Sequence, residues 1–204
     1  MSKNTKVNAA ILIIGNEILS GRTQDTNTST LAVWLNSNGV QVNEVRVIPD
    51  IKKIIIETLN VLRKNNDYVF TTGGIGPTHD DITAESVSEA FGLKYEIHPE
   101  AFKILESYYK LGEFNEGRQK MAWMPHNAKL ILNPTSGAPG FSIENVFCLP
   151  GVPSILKSML GSLKQNIIGG DPILSHTISL RTVESEIANS LSKVQDQNKD
   201  VEIG

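Results

Sequence analysis

Strand-like and helix-like segments alternate three times within the first 90 residues, and this alternation constrains the fold more than any other feature of the chain. Val7–Ile14 is a continuous apolar run, and Val40–Ile48 and Tyr68–Thr72 are the next two strand-like segments. A segment with apolar residues at helical spacing follows each of the three. Parallel strands need long, usually helical, crossover connections. The alternation therefore predicts an α/β fold with a mostly parallel sheet and right-handed crossovers.

The second half of the chain continues with shorter segments and then a boundary. Its predicted elements are a strand at Lys94–Ile97, a helix from Pro99 to about Lys110, a helix at Glu116–Trp123, strands at Lys129–Leu132, Phe141–Ile143 and Val146–Leu149, and a helix at Pro153–Ile168. The Gly169-Gly170-Asp171-Pro172 segment is the strongest boundary signal. We therefore expect one domain over residues 1–168 and a short extension over residues 171–204.

The extension is predicted to be βαβ-like and to be an incomplete second domain. Its pattern gives a strand at Ile173–Leu180, a helix at Val183–Val194 and a strand at Val201–Ile203. A unit of this size cannot bury its own apolar face. It would have to pack on the main domain, pair with another chain, or belong to a longer segment.

Composition excludes several classes of protein. The formal net charge is −3, so the chain has no broad electrostatic reason to bind nucleic acid. Cys148 is the single cysteine of the sequence, which rules out an intramolecular disulfide or a multi-cysteine metal cluster. The apolar runs are too short to span a membrane, and Met1–Asn8 lacks the pattern of a signal peptide. These features predict a cytoplasmic protein.

In an open α/β sheet, ligands bind beyond the carboxyl ends of the strands. Three loops leave such ends here: Gly15–Asn27, Pro49-Asp50 and Thr71–Thr83. If the first strand lies centrally, all three loops meet at one edge. We expect the candidate site at that edge.

The Thr71–Thr83 loop has the residues of an anion site. Gly73, Gly74 and Gly76 let the backbone turn with positive φ and approach a ligand closely. The helix that begins near Thr83 would point free N–H groups toward the loop. The alternative is a tight turn with no ligand, because the segment matches neither a Walker loop nor a GxGxxG fingerprint.

Acidic residues at the same edge complicate a phosphate site. A carboxylate about 4 Å from a phosphate oxygen costs about 4 kcal/mol at an effective dielectric constant near 20. Asp80 and Asp81 lie in the loop, and the loop contains no lysine or arginine. Either it holds no phosphate, or a divalent cation bridges carboxylate and phosphate. The alternative role of both aspartates is to cap the following helix.

Other residues near the edge have two interpretations each. Asp50 either caps the next helix or faces the site, and Glu17 is either a site acid or solvated. His79 is a solvated residue or a proton-transfer group. Arg118 and Lys120 are predicted to lie on an exposed helix face, with the alternative that they supply positive charge to a ligand.

The Thr71–Thr83 segment resembles the signature of the molybdopterin-binding domain family. Four further segments narrow the resemblance to the N-terminal domain of competence/damage-inducible protein A: Gly15–Gly21, Asp25–Thr28, Ala138–Phe141 and Leu149–Pro153. The resemblance covers about Val7–Leu163. It implies a three-layer α/β/α fold, a homo-oligomer, and a site at the strand ends for a ligand that bears a pyrophosphate.

The resemblance also implies the site residues. The family's acids would fall on Asp50 and Asp81, as catalytic and metal-binding residues, and Glu17 nearby would be a third catalytic residue. The ligand-binding positions would be Gly15, Asn16, Asn27, Thr72, Gly73, Gly74, Gly76, Pro77, Thr78, Asp80 and Gly151. Asn16 departs from the family, which often has an aspartate there, and the change removes one carboxylate.

Three functions are compatible with this resemblance. The first, which the resemblance favours, is a hydrolase that uses Mg²⁺, Mn²⁺ or Co²⁺ to cleave the pyrophosphate of ADP-ribose or a similar dinucleotide. The second is a module that binds molybdopterin or a nucleotide without turnover, and the third is a molybdopterin adenylyltransferase. All three would use one pocket, so the sequence does not separate them.

Overall fold

The computed structural model describes residues 6–171, 174, 176–201 and 203. The chain divides into two compact units, Met1–Ile173 and Leu174–Gly204. Elements of the first unit are, in order, β1 Val7–Ile14, α1 Asn16–Leu19, α2 Asn27–Ser37, β2 Val40–Ile48, α3 Lys52–Asn65, β3 Tyr68–Thr72, α4 Thr83–Ala90, β4 Tyr95–Ile97, α5 Pro99–Tyr108, α6 Glu116–Lys120, β5 Trp123–Pro125, β6 Lys129–Ile131, β7 Gly140–Ile143, β8 Val146–Leu149 and α7 Pro153–Leu163. The second unit contains α8, Glu184–Gln197.

Six strands form the main sheet in the order β2-β1-β3-β8-β7-β6. The first four run parallel to one another, whereas β7 pairs antiparallel with β8 and β6 pairs antiparallel with β7. Since β1 lies between β2 and β3, the carboxyl ends of these strands share one edge, as predicted. The hairpin predicted at Glu144-Asn145 is also present, between β7 and β8.

Helices cover both faces of the sheet and complete a three-layer α/β/α fold. Alternate residues of β1 divide between two buried clusters, with Leu12 in one and Ile11 in the other. The Leu12 cluster packs against α3, α4 and α5, and the Ile11 cluster against α2 and α7. The central strand is apolar throughout because both of its faces are buried. The predicted fold class is confirmed.

Strand β2 contains an extra residue that changes the register of its pairing with β1. Val42 lies opposite Ala9, but Glu44 lies opposite Ala10, so Asn43 forms a bulge. Even-numbered residues before the bulge therefore face one side of the sheet, and even-numbered residues after it face the other. Val40 belongs to the Ile11 cluster, whereas Ile48 belongs to the Leu12 cluster.

The structure corrects two predicted helices. The helix predicted at Glu116–Trp123 ends at Lys120, and Trp123–Pro125 forms β5, which pairs antiparallel with β4. The helix predicted at Pro153–Ile168 ends at Leu163 and is followed by a short 3₁₀ turn. In the first case, long-range pairing with Tyr95–Ile97 outweighs the local helical pattern.

The βαβ-like prediction for the extension is correct only for its helix. Among the described residues, Leu174 and residues 176–180 form no strand, nor do Val201 and Ile203. The other residues of those two predictions, 173, 175 and 202, lie outside the described part. Leu174 and Ile178 are 91% and 75% exposed, so their apolar side chains have no sheet to join. No helix in the described part of the chain is both long and apolar enough to cross a bilayer.

Candidate functional site

Four loops leave the carboxyl ends of the parallel strands and lie at the edge predicted for the site. They begin at Gly15 after β1, Pro49 after β2, Gly73 after β3 and Pro150 after β8. The chain passes from β1 to β2 on one side of β1, and then from β2 across to β3 on the other side. The switch point in strand order therefore lies beside β1. Most of the predicted site residues lie in these four loops.

Asp50 connects the loop after β2 to the loop after β1. Its Oδ2 accepts a hydrogen bond from the backbone N–H of Asn16 at 2.8 Å. It does not cap α3, because Ile51 occupies the N-cap position of that helix and makes no side-chain capping bond. The carboxylate of Asp50 is half-buried and keeps its remaining oxygen for another partner.

Glu17 lies in the short helix α1 rather than in an open loop. Its carboxylate folds back over the end of β1, since a Cβ added to Gly15 would lie 2.5 Å from Glu17 Oε1. Gly15 therefore leaves the space in which this carboxylate sits. The structure thus places Glu17 and Asp50 on neighbouring strand ends.

Two glycines after β3 adopt conformations that other residues rarely reach. Gly73 and Gly74 have φ of 99° and 67°, and a Cβ on Gly73 would lie 2.2 Å from the carbonyl oxygen of Ile14. Thr83 fixes this turn from the start of α4. Its hydroxyl donates to Gly73 O at 3.0 Å, and its N–H donates to Gly74 O at 2.9 Å.

The turn leaves a row of backbone donors without partners. Among the described residues, no hydrogen bond uses the N–H groups of Gly74, Ile75 or Gly76. These three residues are half-buried at the site edge. Successive free N–H groups at a sheet edge before a helix form an anion-binding concavity.

Asp81 and Asp80 shape the rest of the loop. Asp81 Oδ2 accepts from the Thr78 N–H at 2.7 Å, and the Thr78 hydroxyl lies 2.5 Å from Asp81 Oδ2 and 2.6 Å from Asp80 Oδ1. The Thr78 hydroxyl and a backbone N–H hold the pKa of Asp80 below its usual range. Neither aspartate caps α4, whose N-cap is Ile82, so the capping interpretation is wrong.

Asn27 ties the start of α2 to two strand ends. Its Nδ2 donates to the carbonyl of Gly151 at 2.8 Å and lies 3.5 Å from Thr72 Oγ1. Asn27 is 5% exposed, and its Oδ1 has no hydrogen-bond partner among the described residues. The structure therefore brings Asn27, Thr72 and Gly151 together.

Sequence reasoning missed a narrow cleft beside the glycine turn. Its lining includes Gly74, Gly76, Asp81, Tyr95, Lys120 and Trp123. The volume is about 10 Å³, close to the minimum for one water molecule. Burial, with the charge of Glu85, raises the pKa of Tyr95 to about 12, so its phenol is neutral at physiological pH.

Lys120 is the residue whose environment differs most from the prediction. We expected an exposed helix face, but α6 packs on the loop after β3, and Lys120 Nζ donates to the carbonyl of Thr78. The signal for this contact is absent from local sequence, because 42 residues separate the two positions.

The acidic residues do not form a complete metal centre by themselves. Within the described residues, no group of three or more His, Cys, Asp or Glu side chains is arranged to hold an ion. Four predicted or candidate residues of the loop after β3 are exposed to solvent: Pro77, Thr78, His79 and Asp80. The predicted divalent ion and the predicted oligomer both stay predictions.

Fold and edge together define a three-layer α/β/α domain with a row of free backbone N–H groups at the switch point of its sheet. The family described as "Probable molybdopterin binding domain" matches residues 10–170. The chain belongs to this family of molybdopterin-binding domains, as its sequence signature predicted.

Individual relatives support this assignment at different levels. CinA of Thermoplasma acidophilum, a protein with unknown function whose structure is solved, is 33% identical, with a TM-score of 0.75 over 80% of this chain and 99% of that chain. A Clostridioides difficile protein whose name describes it as competence-damage inducible is 36% identical over 74% of this chain. The match spans 38% of that relative's length.

A solved molybdopterin biosynthesis enzyme shares the architecture. MoaB of Thermus thermophilus matches 77% of this chain and 89% of its own, with a TM-score of 0.53 and 19% identity. At this identity the match shows the fold and no more.

Proposed function

We propose that this domain binds a small molecule of pterin or nucleotide type through a phosphate or pyrophosphate group. The free N–H groups of Gly74, Ile75 and Gly76 carry the proposal, because they line the site edge and have no acceptor among the described residues. Backbone donors before the start of α4 suit phosphate oxygens, which carry several acceptor sites. Membership of the molybdopterin-binding family supports a pterin-type ligand.

The residues present fit a divalent ion that arrives with the ligand. Mg²⁺ is commonly held by one or two carboxylates together with substrate phosphates and water. Asp50 and Asp81 lie on loops of the same edge and would supply these carboxylates. When bound, such an ion neutralises charge between carboxylate and phosphate; Mn²⁺ and Co²⁺ would serve the same role.

Binding without turnover fits the site better than hydrolysis. Asp50 and Asp81 each accept a hydrogen bond from a backbone N–H, so both serve to fix the loops. Asn16 brings an amide where the family often has a further acid. These features describe carboxylates that position the edge rather than a cluster assembled for a metal-bound nucleophile.

Hydrolysis of a pyrophosphate is a second candidate function. It is favoured by the position of Glu17 beside Gly15, which adds a third carboxylate to the edge that carries Asp50 and Asp81. A substrate of this class would be ADP-ribose or a similar dinucleotide. Transfer of an adenylyl group to molybdopterin would use the same edge.

The first experiment measures binding by thermal unfolding. Wild type is heated with and without ADP, ADP-ribose or molybdopterin, each in the presence of Mg²⁺. A ligand at 100 times its Kd stabilises the folded state by about 2.7 kcal/mol, which corresponds to a rise in Tm of several degrees. Asp81→Asn should lose this rise, because it removes the carboxylate that shapes the loop and would hold the ion.

Glu57→Gln is the matched control, since it also neutralises one carboxylate, on the exposed surface of α3. The control should keep the ligand-dependent rise. If no ligand raises the Tm of wild type, binding at this edge is rejected. AMP released from ADP-ribose with Mg²⁺, Mn²⁺ or Co²⁺ would establish the second candidate, and AMP incorporated into molybdopterin would establish adenylyl transfer.

A further inference from the structure

A basic residue reaches the anion site from a distant part of the chain. The loop at Thr71–Thr83 contains two aspartates and no lysine or arginine. Helix α6 supplies Lys120, whose Nζ donates to the carbonyl of Thr78. Gly117 of the same helix lies against Pro77, where an added Cβ would be 3.4 Å from the Pro77 carbonyl oxygen. Helix α6 therefore packs on the loop, and Lys120 lies on the side of α6 that faces it.

The charge of Lys120 is not neutralised by an ion pair in the described part of the chain, although it contributes to lowering the pKa of Asp80. Arg118 on the same helix lies over the ring of Tyr109 and 3.8 Å from Glu113. Lys52, close to Asp50 in sequence, pairs with Glu85 at 2.8 Å. In contrast, none of the ion pairs within the described residues involves Lys120.

Lys120 also lies beside the free backbone donors. It lines the same cleft as Gly74, Gly76 and Asp81. An ammonium group has three N–H donors, and the Thr78 carbonyl accepts from one of them. Two donors and a full positive charge are therefore available next to the N–H groups of Gly74, Ile75 and Gly76.

We infer that Lys120 is a ligand-binding residue whose ammonium contacts the phosphate or pyrophosphate group held by the glycine turn. This inference rests on the proposed function, because it requires an anion at that turn. The charge of Lys120 opposes the repulsion between the anion and the two aspartates. It follows that an anion can bind without a divalent ion, and that removing the charge makes binding depend more strongly on that ion.

The test uses the full chain and inorganic pyrophosphate, titrated by calorimetry without and with Mg²⁺. Lys120→Gln keeps a donor for the Thr78 carbonyl but removes the charge, whereas Lys120→Arg keeps the charge. Without Mg²⁺, Lys120→Gln should raise the Kd at least about tenfold, as expected for a lost charge-assisted contact. With Mg²⁺ the loss should be smaller, and Lys120→Arg should lose less affinity than Lys120→Gln because it keeps a charged donor for phosphate.

Arg118→Gln is the matched control, since it neutralises a neighbouring cation that points to Glu113 and Tyr109. It should leave the Kd unchanged. A role of Lys120 in holding the loop alone would be preserved in Lys120→Gln and would not depend on Mg²⁺. The inference is overturned if Lys120→Gln binds pyrophosphate as wild type does, or if Lys120→Arg loses as much affinity as Lys120→Gln.

A chemical rescue covers the case in which Lys120→Gln folds poorly. Lys120→Cys is alkylated with 2-bromoethylamine, which restores an ammonium at the same position, while the buried Cys148 is protected. Affinity for pyrophosphate should return after alkylation, and unchanged weak binding would contradict the inference. Absence of binding by wild type, with and without Mg²⁺, would instead reject the proposed function itself.

Discussion

The loops after β3 and β8 follow paired parallel strands, yet they are held in different ways. Both are rich in glycine and proline, and both lead into a helix, α4 or α7. The loop after β3 is held by its own side chains, through Thr78 with Asp81 and through Thr83 with Gly73. The loop after β8 carries no charged side chain and is tied to Asn27 of α2.

The two loops have similar compositions, but glycine is required by the backbone conformation in only one of them. Gly73 has a φ of 99° and no room for a Cβ, so the backbone path of its loop requires glycine. Gly151 would place an added Cβ 3.4 Å from Gly73 Cα, an ordinary contact, and its φ is not in the left-handed region. One loop thus fixes its conformation to present donors, and the other packs beside it.

The largest expected effect separates these two glycines. Gly73→Ala should destabilise the protein by about 3 to 5 kcal/mol, because it combines a strained φ with a clash against the backbone of β1. Gly151→Ala should change stability by less than about 0.5 kcal/mol. Urea unfolding followed by circular dichroism measures both.

Equal losses in the two variants would contradict the contrast between the loops. A Gly73→Ala protein as stable as wild type would show that the turn relaxes at little cost.

An intermediate effect is expected at Asn27. Asn27→Ala removes the bond that holds the Gly151 carbonyl, and the expected loss of stability is about 1 kcal/mol. Amides in the loop after β8 should exchange hydrogen faster, whereas those in the loop after β3 should not. Hydrogen exchange and urea unfolding measure the two consequences.

Asn36→Ala is the control on the same helix, because the Asn36 side-chain oxygen has no partner among the described residues. It should leave both loops unchanged and stability unchanged or slightly higher. Faster exchange in the loop after β3 of Asn27→Ala would mean that the two loops are coupled.

The smallest effect concerns Cys148, which lies in β8 one residue before the end of the strand and the loop that follows it. Burial raises the pKa of its thiol from 9.0 to about 12, so the folded state keeps the proton. Its contribution to stability is complete below about pH 9 and is lost as the pH rises toward 12. At pH 8, a thiol reagent should therefore react only after unfolding. Rapid reaction of the native protein would show that β8 opens locally.

Sequence reasoning succeeded where burial on both faces determines the pattern. The apolar run at Val7–Ile14 predicted a strand buried on both faces, and β1 divides its residues between the two buried clusters. The prediction that Gly15, Asp50 and Gly73 would share one edge of the sheet depended on sheet order, and it is confirmed because β1 lies between β2 and β3.

Sequence reasoning failed where a long-range contact decides the structure. Lys120 belongs to a polar helical segment whose pattern predicts an exposed face. Its contact with the Thr78 carbonyl arises from packing between segments that are distant in sequence. Trp123 was assigned to a helix for the same reason, since its pairing with Ile97 has no local signal. In the second unit, α8 has no buried residues, so an amphipathic pattern predicted the helix but not its surroundings.

Because of the bulge at Asn43, a displacement of the first residues of β2 need not move the last ones. An extra residue at that point can absorb a shift of Val40–Val42 without altering the alignment of Glu44–Ile48 with β1. Asp50, two residues beyond the strand, would then keep its bond to Asn16 even if the start of the strand slipped. The bulge near the start of β2 would thus protect the position of Asp50, at the other end of the strand, from insertions or deletions in the segment before β2.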